Sequence, residues 1–364
     1  MNLKEISILR LINQQIVGSN FKNPKDIVTW MGAMQAQDFN MAKWAVGIRL
    51  NNSTDKLIQS AIDKGEILRT HLLRPTWHFV SSEDIYWILQ LTSQQIKNSM
   101  KSRDKILGLT DTIYKKSNTT IEKTLYGGKH LSRESLITEL VKAGMAVDDN
   151  RASHLLMRAE LDGIICSGKS KANKQTYALL SERVLKTKTL KRDEALAELA
   201  QRYFTSHCPA TLQDFVWWSG LSVSDSKQAL EMIKSKFVSE TIDNQTYWFK
   251  HSFSFPKFEK DLIYFLPAFD EFIISYKNRS ASLPYQNHIK TVSNNGIFRP
   301  IIVKNGQVIG IWKRIIKNDK VMLQTEYFNL PGSKVQNKVL QSFTSFAQFV
   351  NKEVKIIEGI DLNS

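Results

Sequence analysis

Along the first 250 or so residues the alternation of apolar and polar positions repeats one order three times: segments with helical spacing of apolar residues, then two alternating runs around a polar turn. In the first copy Leu3–Val17 and Pro24–Met34 carry helical spacing, "STDKLIQSAIDKG" opens on a Ser53/Thr54 cap, and "EILRTHLLRPTWHFV" alternates as a hairpin. The second begins at Ser132 in "LSRESLITELVKAGM", continues through "DNRASHLLMRAELDG" to Gly163, and ends in "IICSGKSKANKQTYALL", two strands joined by a basic loop. The third runs through "KRDEALAELAQRYFTSH", "TLQDFVWWSG" capped by Thr211, "SVSDSKQALEMIKSK", and a hairpin turning at Asp243-Asn244. Each copy reads as a winged helix.

From about Ser254 the pattern turns to β-prone runs, "LIYFLPAFDEFIISY", "FRPIIVKNGQVIGIWKRII" with a turn at Asn305-Gly306, and "KVMLQTEYF", followed by the helix "KVQNKVLQSFTSFAQFV". The predicted class is therefore mainly α with β wings, an α+β chain of three tandem winged helices and a C-terminal β-rich domain. The units are placed at 1–98, 99–185, 186–252 and 253–364. No Ser-, Pro- or Gly-rich linker separates them, which predicts one rigid body.

No apolar run approaches the ~20 residues of a membrane span, and the start, "MNLKEISILRLINQQ", lacks a signal-like block, so a cytoplasmic protein is expected. Cys166 and Cys208 have no CxxC spacing and read as buried free thiols. The net charge of +15 narrows the function more, because such a surface attracts polyanions. Between Ile165 and Arg192 eight Lys or Arg residues face one acid, Glu182. A lysine-rich surface can serve solubility alone, but here the run covers the loop of a wing, an element that commonly contacts DNA. Lys169, Lys171 and Lys174 are the expected contacts.

Several chemistries are disfavoured. There is no GxxxxGK[ST] or GxGxxG loop, no HxxxH or HExxH, and no GxSxG elbow. His71 and His78 fall on opposite arms of the first hairpin but lack a third ligand, so neither metal nor cofactor is expected. In "MQAQDF" two neutral amides, Gln35 and Gln37, stand in an apolar setting. An amide positions by hydrogen bonding and does not carry protons. Residues i and i+2 of a continuous helix do not share a face, so the pair can serve one target only where the helix ends, which "DFN" would supply. On those residues alone the reading as ordinary solvated glutamines is preferred.

"MQAQDF", then "RTHLLRPTWHFVSSEDIYWIL", "LPAFDEFIISYKNRS" and "VIGIWKR" together resemble the AlkZ/YcaQ family of bacterial winged-helix DNA glycosylases, and the match spans nearly the whole chain. The resemblance implies three winged helices and a β-rich domain around a concave DNA channel, with Gln35 and Gln37 as the catalytic Q-x-Q of the AlkZ-like branch. It implies a monofunctional glycosylase that removes N7-alkylated, cationic purines, with bulky adducts and interstrand crosslinks among its possible substrates, and leaves an abasic site, with duplex DNA as partner and no cofactor; an array working on one lesion needs no second copy, so a monomer, nucleoid-associated when bound to DNA, is expected. Arg69, His71, Arg74, Thr76 and His78 on the first hairpin are expected to face DNA, with Trp77 and Phe79 anchoring the strand. Asp38 is read as a helix-end carboxylate, and an internal salt bridge accounts for Asp270 and Arg279 as well as any chemical role. A regulator or lesion sensor without catalysis is the rival reading; a protein-interaction scaffold would leave the charge unexplained.

Overall fold

The structure, a computed structural model, describes residues 1–172, 174–185, 189–250 and 262–356. After α1 (Leu3–Asn13), closed by a reciprocal box between Asn2 and Glu5, the first module contains α2 (Pro24–Met31), β1 (Met34–Gln35), α3 (Phe39–Gly47), α4 (Asp55–Lys64), β2 (Ile67–Leu72) and β3 (Thr76–Ser81). A long helix, α5 (Ile85–Ile106), leads to the second: α6 (Asp111–Leu125), β4 (Leu131–Ser132), α7 (Arg133–Lys142), α8 (Arg151–Leu161), β5 (Ile165–Ser167), β6 (Thr176–Leu179) and the single turn α9 (Leu180–Arg183). The third has α10 (Arg192–Ser206), α11 (Leu212–Ser219), α12 (Val223–Ile233), β7 (Phe237–Ile242) and β8 (Gln245–Lys250). Helix, short strand, two helices and a hairpin recur in this order in the first two modules, and in the third the short strand shrinks to one bridge, Ala210 to Trp248. This is the winged-helix order, three times over.

The first copy departs from the sequence expectation in an informative way. Helical spacing through Met34 predicts one continuous helix, but α2 stops at Met31 because Gly32 adopts φ +79°, a conformation that only glycine enters freely. The chain then extends, and β1 pairs antiparallel with β3, Met34 opposite Phe79 and Gln35 opposite His78. A further helix, α3, starts at Asp38, whose side chain accepts the Met41 N–H. α1, expected as part of the repeat, lies outside it. α5 runs straight through the 98/99 boundary, so the first two modules share a helix there. The 185/186 boundary adjoins 186–188 and the 252/253 boundary lies in 251–261, both outside the described residues.

The C-terminal unit is built from β9 (Ile263–Leu266), α13 (Glu271–Ile274), α14 (His288–Thr291), β10 (Ile301–Lys304), β11 (Gln307–Lys317), β12 (Lys320–Tyr327), α15 (Ser333–Phe349) and β13 (Glu353–Ile356). Its sheet runs β13-β12-β11-β10-β9, antiparallel except for β12 with β13. Both hairpin turns expected from sequence are present: Asp243 and Asn244 have φ 48° and 60°, Asn305 and Gly306 47° and 80°.

The second module keeps a large core to itself among the described residues, around Tyr114, Leu136, Leu155 and Ile165. One face of the first module's sheet shares a core with the third module, Leu72 and Val80 against Tyr203, Phe215 and Trp218. Elsewhere Met34, Trp44 and Phe79 share one with the C-terminal unit, through Phe343, Phe346 and Phe349 of α15. At Gly220, which ends α11 with φ +68°, an added Cβ would lie 2.2 Å from the Leu73 carbonyl oxygen, so the first wing's turn meets the third module backbone to backbone. No helix among the described residues is long and apolar enough to cross a membrane.

Asp270 is one half of a buried ion pair. Arg49, fully buried, directs Nη1 and Nη2 to its two oxygens at 2.9 and 2.8 Å and spends its other donors on Gln14 and the Ala45 carbonyl. Removing the carboxylate strands a cation out of water, and Asp270→Ala is expected to cost about 3–5 kcal/mol in urea unfolding. A loss under about 1 kcal/mol would show that the pair is dispensable.

Candidate active site

Because β1 is extended, successive side chains alternate and residues i and i+2 share a face. Extension continues past Gln35, with the Ala36 N–H donating to the Trp77 carbonyl at 2.7 Å. The chain bends at Gln37, so the two glutamines stand at the end of a short strand and not at the end of a helix, which corrects the sequence reading. Their settings differ: Gln35 is 5% exposed and Gln37 is at the surface.

Gln35 is fixed at backbone and side chain. Its N–H donates to Glu271 Oε1 at 2.5 Å, and its side-chain oxygen accepts from Arg74 Nη2 at 2.8 Å. The other Glu271 oxygen accepts from Trp218 Nε1 at 3.2 Å and from the Ser275 hydroxyl, with His207 Nε2 at 3.8 Å. Burial alone would push this carboxyl up, but the nearby His207 imidazole and the bonds from Ser275 and the Gln35 N–H hold it down at about 2. Gln37 is held loosely, its side-chain oxygen 3.4 Å from the Trp77 N–H and its carbonyl 3.4 Å from Arg69 Nη2. Asp38 is engaged in capping α3.

The hairpin residues expected at DNA divide. Arg74 occupies the turn as expected, but its guanidinium turns inward to Gln35 and the Trp217 carbonyl, and burial lowers its pKa. Arg69, half-buried, bonds the Ala36 carbonyl at 2.9 Å and Gln175 of the second wing at 2.7 Å, with its guanidinium 4.2 Å from the Trp77 ring. His71 is not DNA-facing: it is 6% exposed and clasped by Glu160 of α8, which takes its N–H at 2.9 Å and its Nδ1 as well. His78 is not DNA-facing either. It lies between Gln35 and Thr70 in the sheet with no exposure, Nδ1 donates to the Thr76 carbonyl at 2.9 Å, and burial, then Arg74, push the imidazole down to about 3. Thr76 is half-buried, its hydroxyl enclosed without a partner among the described residues. Phe79 anchors the strand as expected, whereas Trp77 is only half-buried.

Lys169, Lys171 and Lys174 are exposed at the tip of the second wing, where Lys171 and Lys174 exchange backbone hydrogen bonds at 3.0 and 2.8 Å. Lys186 and Lys188 of the basic run lie outside the described residues. The wing leans on the first module: Ser167 Oγ accepts the Arg69 N–H, and Ser170 N–H donates to Asp63. A 470 Å³ cavity opens between them, lined by Arg69, Trp77, Arg133, Glu160, Lys174 and Tyr177 among others.

Sequence reasoning passed over Glu160 and Glu271, the two carboxylates that hold the hairpin and the glutamine strand. Glu160 had a signal: it falls four residues after Leu156 on the buried face of α8, where a lone acid needs a partner. Glu271 had none beyond its place beside Asp270 in "LPAFDE". Arg314 on β11 was also missed; Asp38 opposes the lowering of its pKa by burial, so the long C-terminal hairpin reaches the same end of the site.

His78 makes the site acid-sensitive. Its folded pKa lies below the unfolded 6.5, so the unfolded chain binds the proton first and stability falls as pH drops from about 6.5 toward 3, by up to ~1.4 kcal/mol per unit. The depressed Glu271 carboxyl works lower down, keeping its contribution above about 4.5 and losing it toward 2. Comparing urea unfolding of wild type and His78→Asn between pH 6 and 4.5 should show a shallower acid slope in the variant. Parallel slopes would mean that His78 is protonated in the folded protein.

Known proteins share the fold of this chain. A family model described as DNA glycosylase AlkZ-like matches residues 28–349. An interstrand DNA cross-link repair glycosylase of Streptomyces sahachiroi is 22% identical over 326 residues, covering 85% of this chain and 87% of that relative. The solved Streptomyces sahachiroi DNA glycosylase AlkZ shares the fold at a TM-score of 0.81 and 18% identity, over 98% of this chain and 100% of its own. With a family model covering most of its length, the chain belongs to the AlkZ-like DNA glycosylases.

Proposed function

We propose that this glycosylase hydrolyses the N-glycosidic bond of purines alkylated at N7 in duplex DNA, with Gln35 and Gln37 orienting the attacking water, and leaves an abasic site. The observation that carries the reading is the company the two amides keep. Among the described residues the carboxylates touching their strand or hairpin are engaged: Asp38 caps a helix, Asp84 holds Ser81 and Arg202, Glu160 holds His71, and Glu271 bonds Gln35 and Trp218. A site without a free acid suits a leaving group that is already cationic, since the bond then breaks toward an oxocarbenium-like sugar and the remaining task is to place water. Arg74 takes one lone pair of the Gln35 oxygen and leaves Gln37 as the readier acceptor.

The Streptomyces sahachiroi relative is named for interstrand cross-link repair, which supports extending the substrates to bulky or crosslinked purines. Crosslinked bases cannot be swung fully out of the duplex, and the exposed Gln37 suits a lesion attacked in place. The protein is read as a monomer at the nucleoid, with no strand-cleaving step.

Single-turnover excision of N7-methylguanine tests the chemistry. Gln37→Leu should slow it on the order of 10²-fold with little change in DNA affinity, and Gln37→Asp should keep measurable activity. Gln35→Leu should slow it as much and also lower the melting temperature, because Arg74 loses its partner. Wild-type rates in both leucine variants would sink the mechanism.

The second wing can be tested by salt. Duplex affinity should fall with a log–log slope of roughly −0.9 per phosphate neutralised, and replacing Lys169, Lys171 and Lys174 together by glutamine should flatten it. An unchanged slope would place the DNA elsewhere.

A further inference from the structure

Trp217 of α11 gathers three cations from different parts of the chain. Lys277 Nζ lies 5.1 Å from its ring centre, and the guanidinium carbons of Arg279 and Arg74 lie 5.4 and 5.9 Å away. The indole itself is pinned, Nε1 donating to the Ile274 carbonyl at 2.7 Å. Among the described residues no carboxylate reaches ion-pair distance of any of the three, although ion pairs are made elsewhere by Arg10, Arg49 and Arg202. The acids that come near are occupied. Asp214 accepts the backbone N–H groups of Lys277 and Asn278 at 2.8 and 3.1 Å and pairs with Arg10 at 3.6 Å, while Glu271 is committed to Gln35 and Trp218.

The donors on this cluster are also underused. Arg279 spends Nε on the Ile273 carbonyl at 3.0 Å, sits between Trp217 and Phe298, and leaves both Nη groups without a hydrogen bond among the described residues. The Lys277 ammonium makes none either and is exposed. Burial pushes Arg279 down to about 10, with the Asp214 charge opposing the shift and the Arg74 charge adding to it. Holding like charges side by side is unfavourable unless an anion joins them. The loop is also preorganised: Asp214 fixes its backbone, and Tyr276, before it, stacks 3.5 Å under Arg10 and bonds the His207 carbonyl at 2.7 Å.

We propose that Lys277 and Arg279, set around Trp217, form a subsite for one backbone phosphodiester of the damaged strand, adjoining the Gln35 amide through Arg74. A phosphodiester carries its charge on two oxygens, which suits the free Nη edge of an arginine and a neighbouring ammonium. Because Arg74 touches both the Trp217 carbonyl and Gln35, a phosphate held here fixes the sugar–phosphate chain relative to the amides. The proposal rests on the reading above in one respect, that a lesion-bearing strand lies against Gln35 and Gln37. It gives "YKNRS", which the glutamine mechanism leaves unused, a task of its own.

The test neutralises phosphates one at a time. Duplexes with 2′-fluorinated N7-methylguanine, which resists excision, carry a single methylphosphonate at successive linkages around the lesion, and affinity is measured for wild type, Lys277→Gln and Lys277→Gln/Arg279→Gln. One linkage should weaken wild type about tenfold when neutralised and the double variant hardly at all, because its contact is already gone. Lys277→Gln, at an exposed position, should show a partial loss at that same linkage, with thermal melting confirming its fold. Equal losses in wild type and double variant at every linkage would overturn the subsite. Excision of ordinary N7-methylguanine, measured alongside, separates the two ideas: excision with equal losses overturns the subsite alone, and the one-linkage coupling without excision upholds the subsite and overturns the alkylpurine reading.

Discussion

A carboxylate taken out of water must have its oxygens matched by donors, and in this protein Glu271 satisfies that demand by drawing on separate parts of the chain. The glutamine strand supplies the Gln35 N–H, the third module supplies Trp218 Nε1 with the His207 imidazole 3.8 Å away, and the C-terminal unit supplies the hydroxyl of Ser275, just past its own short helix. None of these groups can move alone without stranding a buried charge. Gln35 therefore inherits its position from a junction of three units, although it lies on a strand of only two residues. Arg74 completes the arrangement by meeting the same glutamine from the turn of the first wing.

The division of labour between the two glutamines follows. One amide is built into the scaffold, its backbone and side chain both satisfied before any substrate arrives. The other stands at the surface with weak contacts. A positioning mechanism gains from such asymmetry, since a fixed group sets the reference and a freer one can adapt to the lesion. The second module joins through Glu160, whose grip on His71 and proximity to Trp77 Nε1 at 3.5 Å tie the outer edge of the same sheet to α8.

Much of the fold was legible because its signals are local. Thr54, Ser132 and Thr211 cap the helices they were expected to cap, and Asp243-Asn244 and Asn305-Gly306 turn where such pairs should. The glutamine strand was not legible in kind, because Met34 and its neighbours continue the apolar spacing of α2 and only the left-handed backbone at Gly32 breaks it. A short strand is set by its partner, here β3, some forty residues on. The roles of His71 and His78 were hidden for a related reason. A polar residue in an alternating hairpin looks the same from sequence whether its face meets solvent or another domain, and here both faces are covered, by α8 and by the third module. Family resemblance located Gln35 and Gln37, but the bonds that hold them come from residues more than two hundred positions away in the case of Glu271.

The core shared by Trp44 and α15 bears on how the chain matures. Phe346 and Phe349 pack on Trp44 with ring centres 5.3 and 5.0 Å apart, and Phe349 fills the space over Gly47, where even a Cβ would come within 2.4 Å of its ring. Translation delivers Trp44 early and Phe349 some three hundred residues later, so the first winged helix leaves the ribosome with an apolar flank that the C-terminal unit covers. Glu271 likewise emerges long after the strand it secures. A chain cut short before the C-terminal unit would lack both the cover on that core and the anchor of its glutamine strand. The order in which the contacts become available thus ties completion of this region to synthesis of the C-terminal unit.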